Sequence, residues 1–295
     1  MTTTRTPLFR SSTGLVERVE CQVSAPSFRR EEYSPDFQIA FPFQGAFRWY
    51  VGRDVVVSDP NQVLFIRGGE TFRLGATRTQ GFGELIITPD LPTLRDASET
   101  TGFDLEHHPL FTARSSRITP ELQRVCLQML HQWHQEEGGD LEASENLVYL
   151  LTQALRLSPP ARVPSPQTGR LIRRAKEFLT ANFREPLQLA DVAAAAGGSP
   201  AYLTDVFRRC EGVPLHCYLT QLRLGRALLD VPHTNDLTAL ALDLGFSSHS
   251  HFTFSFRKLF GCTPSEFRRS TRLAMRTMPF KLEHSRDSSP IETLW

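Results

Sequence analysis

The residues best equipped for chemistry in this chain are cations set in doublets: Arg173-Arg174, Arg208-Arg209, Arg257-Lys258 and Arg268-Arg269. Closely spaced guanidinium and ammonium groups neutralise phosphate oxygens and release counterions, so such doublets suit the backbone of a nucleic acid. For any one of them alone, a solvated surface charge is the competing reading. Spacing adds weight, because Arg208-Arg209 and Arg257-Lys258 stand 49 positions apart. The same offset carries Ser199 onto Ser248, Leu203 onto Phe252, Phe207 onto Phe256, Gly212 onto Gly261 and Tyr218 onto Phe267. A segment repeated at a fixed period is a structural unit used twice.

The elements that hold these doublets follow one plan in both copies. A short apolar helix, Leu187 to Ala196 and then Leu237 to Leu244, runs into glycine at Gly197-Gly198 and at Gly245. Glycine ends a helix at low cost because it accepts a positive φ. Ser199 followed by Pro200, and Ser248 in the second copy, are N-cap signals for a second helix. Its buried face is set by Leu203 and Phe207, and by Phe252 and Phe256, pairs four apart on one side of a helix. Helix, tight turn, helix, twice over, predicts two helix-turn-helix units. A plain helical bundle built by duplication is the alternative.

Base edges in a major groove would then meet the exposed faces near the start of each second helix. Those positions are Ala201, Tyr202, Thr204 and Asp205 in the first copy, and His249, Ser250, His251, Thr253 and Phe254 in the second. Between the copies, Pro214 to Leu229 predicts a connecting helix of about 15 residues spanning roughly 22 Å. Added to the bodies of the two units, it allows the two reading helices to enter grooves about one DNA turn, roughly 34 Å, apart.

Net charge agrees once the chain is divided at its proline-rich stretch, 158–166. Residues 1–160 hold 15 Lys and Arg against 20 Asp and Glu, whereas residues 161–295 hold 18 against 12. The second half is therefore the one expected to meet a polyanion. Its first element is a helix with Leu171, Ile172, Ala175, Phe178 and Leu179 on one side and Arg173, Arg174 and Lys176 on the other.

The second copy, from Leu244-Gly245-Phe246-Ser247-Ser248-His249-Ser250-His251-Phe252 through Phe256-Arg257-Lys258-Leu259-Phe260-Gly261-Cys262-Thr263-Pro264 to Phe267-Arg268, resembles the AraC/XylS family of bacterial transcription regulators. The resemblance covers roughly the last third of the chain. It implies a sequence-specific regulator that reads two successive major grooves, with RNA polymerase as a partner if it activates. One departure stands out: the family commonly has arginine where this chain has Asp205 and Phe254. Arginine pairs bidentately with guanine, whereas aspartate accepts from cytosine N4 and phenylalanine packs on a thymine methyl. An unusual operator, or weaker specificity with more reliance on phosphates, is the expectation. An unpaired Asp205 would also repel the backbone.

Ahead of the linker, short aromatic and β-branched runs at Phe37 to Phe41, Phe47 to Val51, Asp54 to Val57, Gln62 to Ile66, Thr71 to Leu74 and Gly83 to Ile87 read as strands of an antiparallel barrel or sandwich. The resemblance implies a cupin-like β-barrel that receives a small effector. Phe41, Phe43, Phe47, Trp49 and Arg67 are the candidate pocket residues, against the plainer reading that they fill the core. Two helices follow, one after Pro120 with Leu122, Val125, Cys126, Met129, Leu130 and Trp133 in phase up to Gly138-Gly139, and one from Leu141 to Leu157. This helical hairpin either caps the barrel or, as the resemblance implies, supplies a homodimer contact through 120–157.

Other chemistry finds little support. Residues 1–106 contain no histidine, and His107, His108, His131 and His134 read as surface or packing residues, so no metal and no cofactor is expected. There is no G-x-S-x-G or P-loop pattern. Cys21, Cys126, Cys210, Cys217 and Cys262 form an odd set without a C-x-x-C pair, read as reduced thiols. Without a membrane-length apolar run or a signal peptide, a cytoplasmic protein is expected. The expected architecture is α+β: an effector-binding and dimerisation domain over 1–157, a linker over 158–168, an all-α DNA-binding domain with two helix-turn-helix units over 169–276, and a disordered tail over 277–295. A barrel enzyme with an appended DNA-binding domain and a weakly specific architectural DNA binder are the rivals, and no catalytic residue is assigned.

Overall fold

In the N-terminal half, side chains that alternate along the strands are apolar on both faces. The computed structural model describes residues 2–23, 31–52, 54–76, 81–105, 107, 114–132, 140–157 and 165–277. Its strands are β1 (Thr2–Ser11), β2 (Gly14–Gln22), β3 (Glu32–Ser34), β4 (Gln38–Gln44), β5 (Phe47–Val51), β6 (Asp54–Ser58), β7 (Gln62–Ile66), β8 (Glu70–Ala76), β9 (Phe82–Pro89) and β10 (Ser115–Arg117). They pair antiparallel into a 6-stranded sheet, β1-β2-β9-β4-β7-β10, and a 4-stranded sheet, β3-β8-β5-β6. Ala40, Leu64, Ile66, Phe82 and Ile86 face Phe47, Trp49, Phe72 and Leu74 between the sheets. Their neighbours Ile39, Phe41, Phe43, Val63, Phe65, Leu85 and Ile87 face the helices on the other side. A period of two explains why β7 and β9 read as unbroken apolar runs: each is buried on both faces. The expected cupin-like architecture is present as two facing sheets, and among the described residues no ladder joins them into a closed barrel.

Three helices cover the six-stranded sheet. Helix α1 (Leu91–Thr101), which the sequence pattern did not predict, starts at an Asp90 N-cap and ends at Gly102. Helices α2 (Pro120–Gln132) and α3 (Asp140–Leu155) are the expected hairpin. Trp133, His134, His108 and the Gly138-Gly139 turn lie outside the described residues, as do 158–164 of the linker and 278–295 of the tail.

The C-terminal half is helical throughout, with α4 (Pro166–Ala181), α5 (Leu189–Ala196), α6 (Pro200–Glu211), α7 (Leu215–Asp230), α8 (Leu237–Asp243), α9 (His249–Phe260) and α10 (Pro264–Thr277). Ser165 caps α4 and Pro166 opens it, so residues 166–168 belong to the helix and not to the linker assigned over 158–168. Likewise α10 runs to Thr277, one residue into the stretch expected as tail.

The hairpin covers the sheet, as one expectation had it, and its first helix also packs on the C-terminal half. Helix α2 lies between α3 on one side and α7, α9 and α10 on the other. The second reading unit therefore shares one continuous apolar core with the sheet domain, in which Leu122, Leu127 and Leu130 join Leu228, Phe252, Phe256, Phe260 and Phe267. Around this core runs a buried polar seam. The Tyr218 hydroxyl donates to Asp59 at 2.6 Å, the Asn61 amide to the Tyr218 carbonyl at 3.0 Å, and Gln123 to the Pro60 carbonyl at 2.7 Å. Lys176 sits 3.6 Å from both Asp59 and Glu211. Nearer the surface, Arg48 forks onto Glu177 through bonds of 2.6 and 2.7 Å, which hold its proton more firmly than usual.

Candidate nucleic-acid interface

Helices α6 and α9 are built from the same parts in the same order. The Ser199 hydroxyl accepts from the Tyr202 N–H at 3.3 Å, and Ser248 accepts from the His251 N–H at 3.1 Å. At the far ends, Gly212 and Gly261 adopt φ of 73° and 77° and donate to the carbonyls of Arg208 and Arg257. Leu203 and Phe207, and equally Phe252 and Phe256, are fully buried. Each helix is twelve residues long, and the two leave equivalent positions facing outward, occupied by different side chains.

Bracing fixes the turns in front of them. Gly245 has φ of 81°, and a Cβ there would fall 2.5 Å from the Arg184 carbonyl and 2.9 Å from the Arg223 guanidinium. No other residue fits that corner. Arg223, on the connecting helix α7, donates to the carbonyls of Phe183, Gly245 and Glu185 at 2.6, 2.8 and 2.8 Å. It thereby ties the approach to α5 to the turn before α9. Arg184 adds a 2.7 Å pair with Asp243 across the same gap. Arg223 was missed because an arginine on a helix reads as surface until its carbonyl partners are known, and Arg184 because it sits in a turn whose acidic partner lies far along the chain.

The expected base-reading positions Ala201, Tyr202, Thr204, Asp205, His249, Ser250, His251 and Phe254 are all exposed, and Thr253 is half-buried. Phe254 is 67% and Tyr202 46% exposed, far above the norm for side chains of that size. His251 stacks edge-on against Phe246 and lies 3.1 Å from the Ser247 hydroxyl. Asp205 is paired: its carboxylate meets Arg209 one turn later at 2.7 Å, which removes the condition under which it would repel the backbone.

The cations divide into two groups. Arg174, Arg208, Arg209, Arg257, Lys258 and Arg269 are exposed. Arg173 is half-buried, and its pKa is lowered chiefly by burial and then by the Arg48 charge, so it faces the sheet domain. Arg268 donates to the carbonyls of Thr234 and Asn235 at 3.2 and 3.4 Å, and Arg272 braces the same loop through Pro232 and Thr234. Arg268 is thus a loop brace before it is a phosphate contact.

In the sheet domain the structure separates the candidate pocket residues. Phe47 and Trp49 point between the sheets and line a cavity of about 20 Å³, room for about one water. Phe41 and Phe43 lie on the opposite face of β4, and Arg67 is not among the lining residues. The pleat is the reason: Trp49 faces inward on β5, but Phe41 and Phe43 share the parity of Ile39, which packs against helices. Glu84 lines the same cavity; burial raises its pKa to about 7. The Trp49 indole N–H there has no hydrogen-bond partner. A wider cleft of about 500 Å³ opens between the domains, lined by Phe43, Gln44, Asn182, Phe183, Arg184 and Arg226 among others.

Among the described residues no cluster of three or more His, Cys, Asp or Glu could hold a metal ion, and no helix is long and apolar enough to cross a membrane.

Comparison with known proteins covers both halves. The family model for an AraC-like ligand binding domain matches residues 15–151, and that for a helix-turn-helix domain matches 192–270. The putative regulator YkgA of Escherichia coli is 34% identical over 100 residues, which are 34% of this chain and 42% of that protein. The regulatory protein PocR of Salmonella typhimurium is 28% identical over 108 residues, 36% of this chain and 35% of that protein. The matched stretch thus spans less than half the length of either relative. A solved AraC-type regulator structure from Chromobacterium violaceum is 30% identical, covering 36% of this chain and 96% of that one with a TM-score of 0.34.

Proposed function

The chain belongs to the AraC/XylS family of transcription regulators, whose ligand-binding and helix-turn-helix domains it carries in order, and we propose that it binds duplex DNA sequence-specifically through α6 and α9 in successive major grooves. One observation carries this reading: two helices 49 residues apart share cap, buried face, terminal glycine and basic last turn while leaving the opposite face open. The connecting helix α7, 16 residues long, spans about 24 Å, in keeping with grooves about one turn apart. Base contacts come from Ala201, Tyr202, Thr204, Asp205, His249, Ser250, His251, Thr253 and Phe254; phosphate contacts come from Arg174, Arg208, Arg257, Lys258 and Arg269, with Arg173 and Arg268 secondary.

A small effector enters between the sheets against Phe47 and Trp49, near Glu84. The unpartnered indole N–H supports this site, and the small cavity means that the sheets must part to admit a ligand. The protein works in the cytoplasm, performs no catalysis, and, as an activator, would meet RNA polymerase. Within 120–157, α2 is enclosed by neighbours, so a homodimer contact belongs to α3; light scattering of the full chain tests it.

The deciding experiment is selection of bound sites from a random duplex pool by the full chain, then affinity for the best site against scrambled DNA at several salt concentrations. A preference of about a thousandfold or more, with two half-elements one turn apart, is expected. Equal affinity for all duplexes at matched salt would replace this reading with an architectural binder, a rival favoured by the absence of arginine at Asp205 and Phe254.

A further inference from the structure

On the exposed face of α6, Ala201, Asp205 and Arg209 form one stripe with a spacing of four. The Arg209 guanidinium is held 2.7 Å from the Asp205 carboxylate, with the two side chains 55% and 64% exposed. Helical side chains lean toward the N-terminus, and this pairing fixes that lean. It turns the cationic head toward the preceding turn, in the direction of the helix end that enters the groove. Asp205 approaches one terminal nitrogen as an ion pair, and a guanidinium has five N–H donors, so a forked edge remains, matching guanine O6 and N7. Partnering also offsets the negative charge that Asp205 would otherwise present to the phosphates.

The second unit is built differently at the same positions. Phe254 replaces Asp205 and Lys258 replaces Arg209, leaving a 67% exposed ring beside an ammonium that cannot fork.

Resting on the DNA-reading function above, we propose that Arg209 reads a guanine in one half of the operator, with Asp205 as its positioning residue, and that the other half is read through Phe254 on a thymine methyl. The two half-sites are therefore unlike, although the units that read them are copies.

Site selection with the full-length wild type, Arg209→Lys, Asp205→Ala, Asp205→Glu and Phe254→Ala chains tests this. Arg209→Lys keeps the charge but is expected to lose about tenfold or more of the preference for guanine at one position, leaving the other half-site intact. Asp205→Ala flattens the same position and Asp205→Glu restores it, which a merely structural role would not do. Phe254→Ala loses a thymine in the opposite half. If the wild type selects a motif and the Arg209 and Asp205 variants select the same one, weakening all duplexes alike, Arg209 is on phosphate and the proposal is overturned while the function stands. If the wild type binds tightly but selects no motif, both fall.

Discussion

The phenol of Tyr218 donates to the carboxylate of Asp59 at 2.6 Å, and neither residue exposes any surface. Tyr218 lies on α7, the helix that joins the two reading units; Asp59 lies in the turn before β7. In the repeat, Tyr218 is the counterpart of Phe267, which is also buried. The hydroxyl that distinguishes them is one of the groups that fasten the DNA-binding half to the sheet domain.

Removing that hydroxyl with Tyr218→Phe leaves Asp59 with the Asn61 N–H at 2.9 Å and Lys176 at 3.6 Å. We expect a loss of about 1–2 kcal/mol in denaturant unfolding. Asp59→Ala also takes the acceptor from the Tyr218 hydroxyl and leaves Lys176 with Glu211 at 3.6 Å, and should cost more than Tyr218→Phe. Because the apolar core runs through both halves, unfolding should be a single transition by fluorescence and by circular dichroism.

Glu84 makes stability depend on pH in an uncommon direction. Burial raises its pKa from 4.5 to about 7, so between these values the folded chain holds a proton that the unfolded chain has released. Stability therefore falls as pH rises from about 4.5 to 7, by about 3 kcal/mol in all, and then levels. Glu84→Gln should flatten that slope and raise the melting temperature more at pH 8 than at pH 5, as followed by thermal melts across the range.

Salt titrations should separate contact from brace among the cations. Arg257→Ala and Lys258→Ala should each lower the slope of log affinity against log salt by about 1 and leave the selected motif unchanged. Arg268→Ala should instead reduce thermal stability, because it frees the carbonyls of Thr234 and Asn235. A full unit of slope lost at Arg268 would return it to the phosphate group.

The turns offer a graded series. Ser199→Ala and Ser248→Ala each remove a cap and should cost about 1 kcal/mol in equilibrium unfolding. Gly245→Ala should cost more than either, since it adds strain at φ of 81° to a 2.5 Å clash with the Arg184 carbonyl. Equal losses at Gly245 and Ser248 would mean that the corner yields.

Much of the reading apparatus was visible in residue order. Caps, terminal glycines and the i, i+4 pairs of α6 and α9 are local signals, because a helix bonds to itself within four residues. Strands β5 and β7 were bounded correctly for a similar reason: breakers at Gly45, Gly52, Pro60 and Gly68 delimit them. The hairpin β1-β2 was missed because its Thr- and Arg-rich strand lies at a sheet edge and has little apolar alternation to show.

What the sequence determined by itself, then, was the duplicated helical plan, its basic half and the family. Tertiary structure decided which side each side chain serves. It turned Phe41 and Phe43 away from the cavity that Phe47 and Trp49 line, made Arg223 and Arg268 braces, enclosed α2 between the domains and paired Asp205 with Arg209. Those outcomes depend on contacts across many residues and on how two surfaces meet, which periodicity along the chain does not encode.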